Sequence, residues 1–452
     1  MRSYRVAPNS AQAIAATKKI SSSRRAAFAS SAFFLLTFIF VQLSFPVKAA
    51  DISSRCCADL EERVAELEAT AARKGNRTTS VQIYGQVNKA LLIWDDSAMR
   101  DAYVTDNDAS SSRFGILGES QIKPGWYAGF RMEVELKDAA SDLVSNGAEG
   151  DEGTADDIRL RKSYVYVESD AFGRLSLGQQ SPATDDITII NLGAQMSDAA
   201  LHYSNNFKIK LDFGTMVTVD RTWGYFAHTV DSFRGDFIRY DSPTIRGFVL
   251  STAFGENDVW DVALRYAGDW NQIQVAAGAG FMDAREHEFE DLRGSFSVLH
   301  KDTGLFLSAA GGMRDDEFPA IGQGNGAHFY FAQLGIKRPV LPFGDMTIYG
   351  EFGKYSDYGV GRLIQANLGN PDRFTTWGQV SDSEIQRLGF GVEQAVDSSG
   401  LLLYAQYHLY QADLMGRACV SKSYHSYEFA DEAQSLPAAD WSAVVVGARV
   451  QF

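Results

Sequence analysis

From Phe130 to Lys137 the chain alternates without exception: Phe130, Met132, Val134 and Leu136 are apolar, and Arg131, Glu133, Glu135 and Lys137 are charged. Successive side chains of a strand point to opposite faces, so such a segment has one greasy face and one carrying four charges. A Lys or Arg facing acyl chains at mid-bilayer costs on the order of 2 to 4 kcal/mol, so in a membrane the charged set must face a wet interior. The last residues repeat the pattern. Val444, Val446, Ala448, Val450 and Phe452 form one set, Arg449 and Gln451 belong to the other, and the final residue is the aromatic Phe452.

Arg2, Arg5, Lys18, Lys19, Arg24 and Arg25 precede an uncharged apolar stretch from Ala26 to Val47, and Val47-Lys48-Ala49 offers small residues where a signal peptidase reads. The pattern predicts a cleaved secretory signal over residues 1–49, as against an uncleaved anchor. Removing that segment takes away seven basic and no acidic residues, leaving 35 basic against 57 acidic side chains, a net charge of −22. Such acidity excludes nucleic acid as a natural partner.

Beyond Ala49 no charge-free apolar run approaches the roughly 18 residues that a spanning helix needs, so a membrane-integral state must be a closed barrel. Cys56, Cys57 and Cys419 are the only cysteines, and no disulfide framework is expected. Between residues 59 and 74, Leu60, Val64, Leu67 and Ala71 recur at helical spacing among Glu61, Glu62, Arg63, Glu66, Glu68 and Arg73. This predicts a short coiled-coil helix, too short to be stable alone, which either assembles with copies of itself or docks on the barrel.

Residues 81–452 read as strands whose connections are alternately tight and long. The expected tight turns are Lys123-Pro124-Gly125, Asp170 to Gly173, Ser242 to Gly247, Gly268-Asp269, Lys301 to Gly304, Pro339 to Gly344 and Asp397 to Gly400. Seven hairpins plus the first and last strands make sixteen, so the predicted fold is all-β, a 16-stranded antiparallel transmembrane barrel over residues 78–452 behind a periplasmic segment, 50–77. Trp126, Tyr127, Phe172, Phe248, Trp270, Phe306 and Phe343 flank the turns, as an interfacial girdle would. Arg159 and Arg161 share a face of the next strand, yet Val165 and Val167 continue in their phase. Lys89 falls among the apolar Val81, Ile83, Val87, Leu91 and Ile93, which calls for a bulge or a protein-covered interface. A soluble sandwich would also alternate, but its strands usually run about five or six residues.

No HExxH pair, Gly-x-Ser-x-Gly elbow or phosphate-cradling GxxxxGK[ST] occurs, so neither catalysis, a cofactor nor a resident metal is expected. Acidic clusters such as Asp315-Asp316-Glu317 read as solvated loops.

Residues 59–77, Tyr84-Gly85-Gln86-Val87-Asn88, Ser112-Arg113-Phe114-Gly115, Ile238 to Pro243, Gly247-Phe248 and the terminal Phe452 together resemble the general porins of the bacterial outer membrane, those of alphaproteobacteria above all. The resemblance spans nearly the whole mature chain. It implies homotrimers in outer-membrane lipid, passive diffusion of small hydrophilic solutes and ions, and Phe452 as the signal read by the assembly machinery. It also implies that the connection after the fifth strand, here about 181–234, folds into the barrel as a constriction. Asp185 and Asp186 would then face Arg131, Arg159 and Arg161, with Glu133, Glu135 and Gln179 also lining the pore. Gly178-Gln179-Gln180 stands where the family commonly has Gly-Arg-Gln, so one basic group is missing and ion preference is open. A hairpin expected over Phe207 to Val219 would place Lys208, Lys210 and Asp212 at the entrance. The competing reading is a surface receptor or adhesin with a plugged barrel.

Overall fold

The computed structural model describes residues 79–452 apart from 138, 150–156, 228–232, 285–288, 317–325, 368–373, 418, 424–425 and 430–431. The expected signal and coiled-coil segments lie outside the described residues.

Sixteen strands form one closed antiparallel barrel: β1 Thr79–Asp95, β2 Arg113–Lys123, β3 Trp126–Lys137, β4 Asp157–Ser169, β5 Gly173–Gln180, β6 Gly235–Asp241, β7 Phe248–Gly255, β8 Trp260–Trp270, β9 Ile273–Ala284, β10 Phe289–His300, β11 Leu305–Asp316, β12 Ala327–Leu341, β13 Gly344–Ser356, β14 Phe374–Val396, β15 Leu401–Arg417 and β16 Trp441–Gln451. Each pairs with its chain neighbours, and β1 closes the ring on β16 from Gln86↔Gln451 to Asp95↔Ser442. Closure leaves no sheet edge to be hydrogen-bonded by water, which a bilayer could not supply. The seam is finished by Phe452, whose backbone N–H and C=O both bond Gly85 at 3.0 Å; a Cβ at Gly85 would sit 2.7 Å from the Phe452 ring.

Alternation sorts the two faces as expected. Val81, Ile83, Met132, Leu136, Leu264, Leu292, Leu334, Ile348 and Val450 are exposed on the outside, whereas Glu133, Glu135, Asp261, Arg293, Gln333, Glu351, Arg387 and Arg449 are buried. An apolar exterior over a charged interior inverts the soluble arrangement and suits lipid. β14 and β15 span 23 and 17 residues, well beyond the roughly 9 to 11 needed to cross a bilayer. Their ends therefore project past it.

Six of the seven tight turns fall where the turn formers stand. Gly268-Asp269 does not: β8 runs on to Trp270, pairing Gly268 with Val275, and the chain reverses at Asn271-Gln272, where Asn271 takes a left-handed backbone (φ 52) that its short amide side chain tolerates. Within the expected turn Pro339 to Gly344, Pro339 is still in β12 at a register shift between Arg338 and Leu341, and the reversal is made by Pro342-Phe343. In the girdle, Phe172, Phe248, Trp270, Phe343 and Phe452 are exposed, but Phe306 is buried, packed inward against Ala194 and Tyr349. Its phase on β11 decides this, not its nearness to a turn.

Lys89 stays on the outward phase, partly exposed, with its ammonium 3.3 Å from the buried carboxylate of Asp106. Asp106 belongs to a short strand, Arg100–Asp106, that extends the sheet beside the upper part of β1. A local ion pair thus accounts for the charge that the alternation left unexplained.

Candidate functional site

Inside the barrel the charges of β3 and β4 form one interlocked wall. Glu133 accepts from Arg131 Nη2 at 2.9 Å, from Arg161 Nε at 2.9 Å and from the Tyr84 hydroxyl at 2.8 Å, and Arg161 Nη1 lies 3.2 Å from Glu135. The Tyr84 ring lies flat over Gly115, where a Cβ would come within 2.5 Å of it, and carries the Arg131 guanidinium at 4.8 Å. Lys137 is on the strand, but its side chain is outside the described residues.

The conflicting phases of β4 are resolved by a β-bulge. Glu133 pairs with Lys162 and Val134 with Leu160, so Arg161 is the extra residue. Ile158, Leu160, Val165 and Val167 all face outward, Arg159 takes the opposite phase to Ile158 and Leu160 and is exposed, and both Arg161 and Lys162 reach the interior. Gln179 requires correction. It shares the outward phase of Leu175 and Leu177, pairing with Ser163 and Asp236, and it is Gln180 that turns in, donating to the Phe237 carbonyl at 2.9 Å. One residue of offset exchanges inside for outside.

The early part of the connection after β5, from Thr184 to Ala200, is bonded along the inner wall of the barrel. Thr184 N–H bonds Asp261 at 2.6 Å, Ser295 donates to the Ile187 carbonyl, Ser297 accepts from Leu192 N–H at 2.9 Å, and Asn191 bonds Gln333 at 2.7 Å. Glu393 accepts the N–H groups of Gln195 at 2.8 Å and Met196 at 2.9 Å, Arg387 donates to the carbonyls of Asp198 and Ala200, and Gln406 donates to that of Met196 at 2.7 Å. Inward polar groups of β8 to β15 thus satisfy loop backbone that water would otherwise hold.

Further along, the loop meets apolar wall. Phe207 stacks edge-on against Trp94 at 4.9 Å and packs against Trp441 at 5.1 Å; Trp441 meets Tyr410 at 5.3 Å. Ile209, Leu211, Trp223 and Phe226 of the loop and Leu92, Tyr355, Ile385 and Val445 of the wall complete a buried cluster. The hairpin expected near Phe207 to Val219 is present as Lys208–Asp212 and Met216–Thr222, joined to the sheet through Leu363–Asn367. Lys208 and Asp212 are exposed, while Lys210 is held by Thr218 at 2.8 Å and lies 3.8 Å from Asp96. This half of the bore is packed with apolar side chains.

The other half keeps a cavity of about 300 Å³ bounded by Lys162, Tyr164, Arg174, Gln180, Asp185, Asp186, Arg239 and Arg265 among others. Asp186 is exposed, in a left-handed backbone (φ 62). Asp185 is buried; burial, reinforced by the Asp186 charge, pushes its carboxyl up from the ordinary carboxylate range. Lys162 and Arg265 line the same cavity as the two carboxylates, and the Arg234 charge acts on Asp185. Lys162 was hidden from sequence by the bulge. Arg265 was legible, since Trp260, Val262 and Leu264 alternate with Asp261, Ala263 and Arg265; Arg234, at the end of a long connection, carried no signal.

A Gram-negative porin family model matches residues 63–413. The chain belongs to the Gram-negative porins. It is a β-barrel of the bacterial outer membrane that forms a passive diffusion channel. No curated protein sequence matches this porin significantly. Among solved structures it is similar to an anion-selective porin from Comamonas acidovorans, with 15% identity, 83% of this chain and 100% of that one covered and a TM-score of 0.51. It is also similar to a loop-L8 deletion variant of the outer membrane protein OmpT of Vibrio cholerae, with 14% identity, coverage of 83% and 99% and a TM-score of 0.49. The outer membrane channel DcaP of Acinetobacter baumannii follows with 11% identity, coverage of 83% and 97% and a TM-score of 0.43.

Proposed function

We propose that residues 181–206 constrict each pore and that solutes pass on the cavity side, between the exposed carboxylate of Asp186 and the basic side chains Lys162, Arg234 and Arg265. The observation that carries this reading is the placement of Asp186 at a polar cavity while the far side of the bore is closed by packed aromatics. Opposed charges across a narrow aqueous gap create a transverse field that orients polar solutes and disfavours apolar ones. Arg131, Glu133, Glu135 and Arg161, held in one network, serve as a rigid wall beside that gap, with Arg159 toward its mouth.

We assign the functional unit as a homotrimer, helped by a coiled coil through Leu60, Val64, Leu67 and Ala71, exported by a signal over residues 1–49 and assembled through recognition of Phe452. Deleting residues 59–74 should weaken trimers on a seminative gel, and undiminished trimers would dispose of that role. The packed half of the bore is what favours the competing receptor reading, with the barrel plugged. Planar-bilayer recording decides between the two: stable ohmic steps in threes support the channel, and silence from correctly folded protein supports the plug.

A further inference from the structure

The mature chain is strongly acidic, yet its constriction is not. Each wall carboxylate near the cavity is matched: Glu133 by Arg131 and Arg161, Glu135 by Arg161, Asp241 by Arg239 at 2.8 Å, and Glu168 by Arg174. Glu119, nearer the tight turns, accepts the Tyr166 hydroxyl at 2.9 Å. Four basic groups have no such match. Among the described residues no carboxylate comes within 4.0 Å of the charged nitrogens of Arg113, Lys162, Arg234 or Arg265. The Arg234 charge acts on both Arg113 and Lys162, Glu133 acts on the same two without contact at ion-pair distance, and Asp186 acts on Lys162 and Arg265. Arg265 is tethered by donating to the Asp185 carbonyl, which leaves its charge unneutralised. Against these four the cavity offers one exposed, unpaired carboxylate, Asp186; its neighbour Asp185 is buried with Oδ2 lacking a donor.

The geometry points to an anion-preferring constriction, in which small solutes carrying carboxylate or phosphate-type groups are drawn past Lys162, Arg234 and Arg265 while cations are held back. Residual positive charge in a narrow, low-dielectric gap raises the local concentration of anions, and ion-paired wall charges add little to that field. Guanidinium forks suit planar or tetrahedral oxyanions better than they suit chloride. The chain's overall charge is irrelevant here, because charges more than about 10 Å away are screened by salt.

This inference rests on the channel reading above, and reversal potential in a KCl gradient separates the two. Reconstituted full-length protein should conduct with its reversal potential displaced to the anion side. Lys162→Glu with Arg265→Glu should lower the anion-to-cation permeability ratio by roughly tenfold and reverse the sign of the reversal potential. Asp186→Asn, which keeps a residue tolerant of the left-handed backbone, should raise the ratio. In the wild-type channel, inorganic phosphate should reduce the KCl current more than sulfonate-free zwitterionic buffer does. A conducting channel with zero or cation-side reversal overturns the anion preference alone, whereas folded barrels that never conduct overturn the channel reading beneath it.

Discussion

The two halves of the bore are built from the same alternating strands and end in opposite states. Along β1 and β13 to β16 the inward positions include Leu92, Trp94, Tyr355, Ile385, Tyr410, Trp441 and Val445, and the loop fills that side with Phe207, Ile209, Leu211, Trp223 and Phe226. Along β2 to β8 they include Arg113, Arg131, Glu133, Arg161, Lys162, Arg239 and Arg265, and the loop presents Asp185 and Asp186 across a cavity. Alternation sets only which residues face in. Whether the interior is a core or a channel depends on what those residues are and on which stretch of loop they meet.

Breaking the packed half should have the largest effect. Its clamp is Glu351, which accepts from Arg387 Nε at 2.9 Å and from Ser197 and lies 3.2 Å from His408 Nδ1, all deeply buried. Glu351→Ala leaves Arg387 buried and uncompensated and is expected to cost about 3 to 5 kcal/mol. The checking measurement is the unfolding midpoint in detergent together with unit conductance, which should rise as the loop is released; a wild-type midpoint would show that the clamp is decorative. Trp441→Ala removes the ring between Phe207 and Tyr410 and should cost about 3 to 4 kcal/mol by cavity formation. Denaturant titration tests it, and a loss under about 1 kcal/mol would mean that the loop repacks.

A smaller effect should appear with pH. Burial opposes charge on His202, but Asp198 at 3.0 Å and Asp108 overcome it and push the imidazole from its ordinary value near 6.5 up to about 10. Because the folded value is the higher, the contribution of His202 to seating the loop is full below about pH 6.5 and is lost as pH rises toward 10. Thermal unfolding at stepped pH should therefore show wild type losing more stability than His202→Gln across that window; parallel curves would contradict it. The smallest effect is expected at Gln179. Restoring the family's arginine there puts the charge on the outward phase and should leave the reversal potential unchanged, whereas Gln180→Arg should move it toward anions. A shift with Gln179→Arg would overturn the assigned phase.

Much of the barrel was legible because its signals are local. Strict alternation assigned the faces of β3, and the strand count followed from turn formers. The misplacements share that origin. Gly268 invites a turn that Asn271 makes, Phe306 stands beside a turn while its phase points it inward, and Gln179, which the family resemblance puts in the lumen, has the outward phase. The bulge at Arg161 hid Lys162 for a related reason: an extra residue shifts the alternation, and only the pairing partner across the ladder shows where. The acidic pair was found, but the groups facing it come from β4, β8 and the far end of the loop, distant in sequence.

The sequence by itself determined a closed sheet with an apolar exterior and a charged interior, since period-two alternation leaves a bilayer no other arrangement. Tertiary structure alone decided the course of residues 181–227, the side of the bore they fill and which described basic groups are left without an ion-pair partner. Those outcomes turn on contacts between residues far apart along the chain, and no local pattern carries them.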